Sequence, residues 1–299
     1  MMLKKLNTSL IVLLLCACQA QDPATKPAVT EGSESIEEKV IYGTDNRKDL
    51  YEVTSSLQRR LADSTVALIK ASSLQDNGTV SRIISKTFRV SYGLCSTERF
   101  GEQENAAFCS GSLIAPDVIA TAGHCIRSVS DCDATRFVFG YAVKTKGVLP
   151  QEVSTSEVYS CAEIIHTEVL SSGSDFALIR LDRPVPNHAV LSVRKRGAVK
   201  VGDPLVVIGH PVGLPTKVAA GAKVRSIQPA QHFVANLDTY GGNSGSAVFN
   251  SKTGVIEGIL VRGDTDFVYQ GSCAVSNRCK DTECRGEDVT RITRILPYL

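Results

Sequence analysis

Tryptophan is absent from this 299-residue chain and neither sign of charge dominates: 33 Lys and Arg stand against 31 Asp and Glu, a formal charge of +2. That balance excludes a whole-molecule electrostatic glove for nucleic acid and implies no phosphate-rich partner. No repeat of fixed period is present, which disfavours a solenoid or propeller. No Cys-x-x-Cys pair occurs either, so the ten cysteines do not read as zinc ligands at finger spacing and no metal is called for. The apolar run Leu10 to Leu15 is too short to span a bilayer as a permanent helix. With 43% hydrophobic and 21% charged residues the chain can fill one large core or two small ones. A disordered, collagen-like or polytopic membrane protein is excluded on composition.

The front end has a charged start at Lys4 and Lys5 followed by that apolar run, the pattern of a secretory signal peptide over residues 1–17. It ends in Leu15-Cys16-Ala17-Cys18, which resembles the lipobox of bacterial lipoproteins and makes Cys18 the candidate lipidation site and membrane anchor. Acyl chains contribute about 0.8 kcal/mol per buried methylene, so such an attachment to a cell-envelope membrane would be durable. Residues 18–39 are polar and rich in Pro, Ser and Glu, as expected for a flexible tether or pro-segment. Setting aside Cys16 and Cys18 leaves eight cysteines, and an even count in an exported chain implies disulfides.

From residue 64 onward, short β-type runs alternate with turns: Thr65 to Ile69, Gly111 to Ala115, Val118 to Thr121, Arg136 to Tyr141, Phe176 to Leu181, Pro204 to Gly209, Ser246 to Phe249 and Val255 to Arg262. Many short strands separated by Gly, Pro, Asn and Asp predict barrels or a sandwich. Only the tail reads as helix, with Val289, Ile292, Ile295 and Leu296 on one face after the acidic start Glu287-Asp288.

Three segments carry chemistry. Hydrolysis by a serine needs an activated hydroxyl, a base, a buried acid that orients the base, and backbone donors for the oxyanion. Gly241-Gly242-Asn243-Ser244-Gly245-Ser246 sets a serine among small residues where the backbone can turn sharply; Thr121-Ala122-Gly123-His124-Cys125 sets a histidine after an apolar strand; Ser174-Asp175-Phe176-Ala177-Leu178-Ile179-Arg180-Leu181 sets an aspartate at the entrance of another. Taken singly, each has a bland reading: a tight turn, a packed core histidine, a cap. Together, and in the order His, Asp, Ser, they resemble the chymotrypsin-like (trypsin-fold) serine peptidases, in particular the bacterial branch that includes the glutamyl endopeptidases. The resemblance covers roughly residues 40–299.

That resemblance implies an all-β fold of two six-stranded antiparallel β-barrels with a C-terminal helix, the cleft lying between a first barrel over 40–195 and a second over 196–299. It implies Ser244 as nucleophile, His124 as general base and then acid, Asp175 as orienting carboxylate, and the amides of Gly242 and Ser244 as oxyanion hole. It also implies a Cys109–Cys125 disulfide, while the other six cysteines allow fifteen pairings. For the pocket that receives the side chain before the cut bond it points to Asp238, six residues before the nucleophile, with Thr239, Leu260 and Arg262 around it. A carboxylate there favours Arg or Lys substrates. Leu260 stands where the glutamyl branch has a histidine, which argues against strict Glu preference, and Arg262 is an alternative partner for Asp238. Asn243 replaces the aspartate that captures a freed amino terminus in trypsin-like zymogens, whereas Val40-Ile41-Tyr42-Gly43 resembles a mature start, so cleavage after Lys39 would act by another route. The expected protein is a monomeric endopeptidase of protein or peptide substrates without cofactor; the alternatives are a non-catalytic binding module on the same fold, and an esterase or self-restricted protease.

Overall fold

The computed structural model describes residues 40–171 and 173–299; the expected signal peptide, tether and Cys18 lie outside the described residues. Strands β1 (Thr65–Lys70), β2 (Ala107–Ala115), β3 (Val118–Thr121), β4 (Thr135–Val138), β5 (Val158–Val169) and β6 (Asp175–Leu181) close into one six-stranded antiparallel barrel. Strands β7 (Pro204–Gly209), β8 (Lys217–Ser226), β9 (His232–Ala235), β10 (Ala247–Asn250), β11 (Ile256–Arg262) and β12 (Glu287–Arg291) close into a second, to which Arg47–Asp49 adds on β8. Closure leaves the barrel strands no free edge. Around the first barrel the order is β1-β2-β3-β6-β5-β4, and around the second β7-β8-β9-β12-β11-β10, so the two halves repeat one topology without repeating a sequence period.

The strands form where aliphatic and β-branched residues cluster. Val66, Leu68, Ile119, Phe137, Phe176 and Ile179 pack in a cluster that also takes Ile208, Phe249 and Ile259 from the second barrel, while Leu205, Val207, Phe233, Val248, Leu260 and Val289 form a second cluster. Each such side chain contributes about 1.5–3 kcal/mol on burial. The shared cluster holds the barrels against one another, which fixes the cleft between them.

The eight expected runs correspond to β1, β2, β3, β4, β6, β7, β10 and β11. The tail differs from expectation: Glu287–Arg291 is strand β12, and the helix, a 3-10 helix, starts only at Ile292 and runs to Tyr298. β12 has ladder partners on both sides, β9 and β11. Its acidic residues, which in sequence resemble a helix start, are buried and bonded in the sheet instead. Ile292 and Ile295 still face the core, as the helical spacing predicts.

Disulfides join Cys95–Cys273, Cys109–Cys125, Cys132–Cys161 and Cys279–Cys284, pairing all eight cysteines of the described residues. Cys95–Cys273 spans 178 residues, a closure that removes up to about 5 kcal/mol of unfolded-chain entropy.

Candidate active site

Strand β3 ends at Thr121, and the chain turns through a single 3-10 turn, Gly123–Cys125, that carries His124. The Cys125 disulfide ties this turn to β2. Because β6 pairs with β3 through Ala177 and Thr121, the first residue of β6, Asp175, arrives beside the turn. Its carboxylate grips the histidine twice: Oδ1 accepts the His124 amide at 3.1 Å and Oδ2 lies 2.7 Å from His124 Nδ1. Asp175 is 3% exposed, so this pair is shielded from bulk water. The Asp175 amide donates to Thr290 Oγ1 of β12 at 3.2 Å, a bond between the two barrels at the site.

The serine sits in a compact turn. Asn243 N donates to Tyr240 O at 3.1 Å and Ser246 N to Asn243 O at 2.8 Å, with Gly242 and Gly245 at φ of +78° and +87°. Side chains rarely adopt such angles, and at Gly245 a Cβ would stand 2.0 Å from Ser110 O, so the loop needs glycine there. The turn is threaded to the barrel that carries His124: Ser110 N donates to Ser244 O at 2.8 Å, Ser110 Oγ donates to Gly242 O at 3.0 Å, and Cys125 Sγ lies 3.8 Å from Ser244 O. Ser244 Oγ lies 3.5 Å from the carbonyl of Val261 on β11. Ser110 thus braces the serine turn, and no motif in the sequence marks it.

Across this cleft one half supplies an oriented imidazole and the other a serine on a glycine-shaped turn. A family model described as trypsin-like peptidase domain matches residues 109–259, which include all three segments. The chain belongs to this family. Among curated relatives of this trypsin-like peptidase domain, the thrombin-like enzyme acutin of Deinagkistrodon acutus is 36% identical over 83 residues, covering 27% of this chain and 32% of acutin. The glutamyl endopeptidase of Bacillus licheniformis is 28% identical over 178 residues, covering 55% of this chain and 53% of its own. The chain therefore spans about half the length of these relatives or less. Among solved structures, a Glu endopeptidase in complex with MPD aligns with TM-score 0.50 and 17% identity over 87% of this chain and 97% of its own, and the VesB protease of Vibrio cholerae with TM-score 0.50 and 15% identity over 85% and 66%. At such identities the likeness is one of fold.

The expected pocket residues are arranged differently from expectation. Asp238 is buried with both carboxylate oxygens taken by main-chain amides, Tyr42 N on Oδ1 and Asn46 N on Oδ2, each at 2.8 Å. Burial pushes its pKa up to about 6 despite those bonds. The carboxylate read from sequence as a pocket floor is therefore an anchor for the segment 40–46. Nor does it pair with Arg262, whose Nε meets Asp288 Oδ2 at 2.9 Å while Nη2 donates to Gly173 O at 3.0 Å. Leu260 is packed in the second barrel's cluster, and its carbonyl accepts Gly245 N at 2.8 Å, supporting the serine turn. Thr239 donates its hydroxyl to Glu287 Oε2 at 3.0 Å.

Cys109, His124 and Cys125 bring possible ligand atoms within 4.8 Å, but both sulfurs are in a disulfide and offer no thiolate to a metal. His210 is buried with Nδ1 on Leu214 O at 3.0 Å and its ring stacked on Tyr141, and burial pushes its pKa down to about 4. It is a neutral strut beneath the serine turn: its amide donates to Ser110 Oγ at 2.9 Å.

Proposed function

We propose that this protein is a serine endopeptidase. The observation that carries the reading is the 2.7 Å contact of His124 Nδ1 with Asp175 Oδ2, reinforced by the amide bond to Oδ1. With Nδ1–H donating to the carboxylate, Nε2 is left as the basic nitrogen. In the proposed reaction Ser244 Oγ attacks the scissile carbonyl carbon and its proton passes to His124 Nε2. The amides of Gly242 and Ser244 hold the resulting oxyanion, each such donor being worth about 3 kcal/mol. The C–N bond then breaks as His124 returns the proton to the leaving amine. Water, activated by the same imidazole, hydrolyses the ester and frees Ser244. Every group used belongs to the protein, so the scheme calls for no cofactor.

A fluorophosphonate label tests this: wild type is expected to react and Ser244→Ala is not, and a peptide mixture should be cut by wild type alone. A labelled protein that cuts only small esters would replace endopeptidase by esterase.

The finer reading is an exported, monomeric enzyme. The four disulfides among the described residues suit an oxidising compartment. Anchoring through a lipid on Cys18 is checked by fatty-acid labelling of cells, expected for wild type and lost in Cys18→Ala. Cleavage after Lys39 would release the domain from that anchor, and an uncut protein of full activity would remove any role for cleavage in activation.

A further inference from the structure

Three non-glycine residues among the described ones take a positive φ, and Val212 is the β-branched one. At φ +46° and ψ +25° it holds a left-handed conformation that its side chain resists, yet it is 3% exposed and packed with Ile41, Leu214 and Tyr240. Strain of that kind persists only where the surroundings over-determine it. Here Gly213 N donates to His210 O at 3.0 Å, Leu214 N to Pro211 O at 2.9 Å, and His210 Nδ1 to Leu214 O at 3.0 Å. Ala106 N, just ahead of β2, closes the loop from outside by donating to Gly213 O at 2.9 Å. Bent in this way, loop 210–214 aims the Val212 amide at the serine turn, where it donates to Gly241 O at 2.5 Å.

The hydrogen bonds of the serine turn show what that contact does. The amides of Gly241, Asn243, Gly245 and Ser246 each have an acceptor, namely Asp266 Oδ2, Tyr240 O, Leu260 O and Asn243 O. The Gly242 amide has none among the described residues. In a planar trans peptide the carbonyl of Gly241 and the N–H of Gly242 point in opposite directions. Pinning that carbonyl to Val212 therefore turns the Gly242 N–H away from the loop and leaves it able to donate elsewhere. Loop and turn are in direct contact, since a Cβ on Gly242 would stand 2.9 Å from both His210 O and Gly213 N. Rotating the 241–242 peptide would swing its amide inward and break the Val212 bond.

Resting on the endopeptidase reading above, we propose that Val212 is a positioning residue: its main-chain N–H, presented by the strained loop 210–214, holds the 241–242 peptide in the orientation that offers the Gly242 amide to the developing oxyanion. The side chain of Val212 takes no part in this. What the position requires is a left-handed backbone that carries an N–H.

The test replaces Val212 in the full chain by the corresponding α-hydroxy acid, so that an ester oxygen faces the Gly241 carbonyl where the N–H stood. Values are compared at equal fractions folded. The ester form is expected to lose about 10- to 100-fold in kcat with KM within about twofold of wild type, and to bind a peptide boronate, which mimics the transition state, more weakly by a similar factor. Val212→Asn and Val212→Gly keep the N–H and tolerate positive φ, so their kcat should stay within about threefold of wild type. A merely structural role predicts the reverse order, because the ester keeps the buried side chain and the glycine variant empties it from its cluster. An ester form with unchanged kcat, a loss confined to KM, or an equal loss of kcat in Val212→Asn overturns the assignment and leaves the peptidase reading standing. Neither cleavage nor fluorophosphonate labelling of Ser244 in wild type would overturn both.

Discussion

The two barrels share one strand order but are fastened by different chemistry. In the first, covalent bonds lie at the functional turn and its neighbour: Cys109–Cys125 fixes the histidine turn to β2, and Cys132–Cys161 ties the helix Val129–Ala134 to β5. In the second, no described disulfide is attached to a barrel strand, and buried charge does the fastening. Lys217 Nζ on β8 reaches Asp49 Oδ1 at 2.6 Å, Gln103 Oε1 at 2.7 Å and Pro215 O at 2.9 Å. Arg47 bonds Asp45 and the Tyr240 hydroxyl, its guanidinium 4.0 Å from that ring's centroid. Asp238 takes two further amides of the same segment. The histidine on its single helical turn is stapled covalently, whereas the serine turn depends on the barrel to which the 40–49 segment is strapped. Loss of that strap should therefore act on Ser244, and loss of Cys109–Cys125 on His124.

The largest expected effect lies where the barrels meet. Ser244→Ala should lower kcat by about 10⁶-fold and Asp175→Asn by about 10⁴-fold, measured on one cleavable peptide at unchanged thermal stability. Next comes the second barrel's buried cation. Lys217→Met strands the Asp49 carboxylate in a dry site, and urea unfolding should show a loss of about 3–5 kcal/mol. A loss under 1 kcal/mol would show that the strap does not hold that barrel. The paired substitution Cys109→Ser with Cys125→Ser opens a bridge of sequence separation 16 and should cost about 3 kcal/mol by the same measurement. Its kcat should fall further than that of Lys217→Met compared at equal fractions folded, because the His124 turn is loosened directly.

The smallest effect is a pH slope. His210, at about 4 instead of 6.5, contributes stability that is full above pH 6.5 and is lost as pH falls toward 4, since the unfolded chain binds a proton that the folded one refuses. Asp238, at about 6 instead of 3.8, works oppositely: its contribution is full below pH 3.8 and is lost as pH rises through 6. In wild type the two nearly offset between pH 4 and 6. Asp238→Asn removes one, so the variant should lose about 1 kcal/mol more than wild type per pH unit of acidification across that window, read from denaturation midpoints. Parallel pH curves would remove the buried-charge account of Asp238.

What the sequence made legible follows from how local each signal is. The segments around His124, Asp175 and Ser244 announce themselves within five to eight residues, and the aliphatic strands do the same. Strand β5 hid because its register slips at Cys161/Glu163 and Ile164/His166 and most of its residues are half-exposed, which erases alternation. β8 hid behind Ala-Ala-Gly-Ala at 219–222, a run of low strand propensity. β12 reads as helix in sequence because an acidic pair before an apolar stripe is ambiguous until its sheet partners are known. The same nonlocal pairing decides that Asp238 faces Tyr42 and Asn46, 196 and 192 residues away, and that Glu287 lies against Gly263. No window of sequence contains that information.

Mass spectrometry of the fluorophosphonate-treated protein tests in one measurement whether an imidazole from one barrel activates a serine from the other. A single adduct on the peptide bearing Ser244, absent when His124 is replaced by Ala, is the predicted result. An adduct on another residue, or an equal yield at Ser244 without the imidazole, would contradict it.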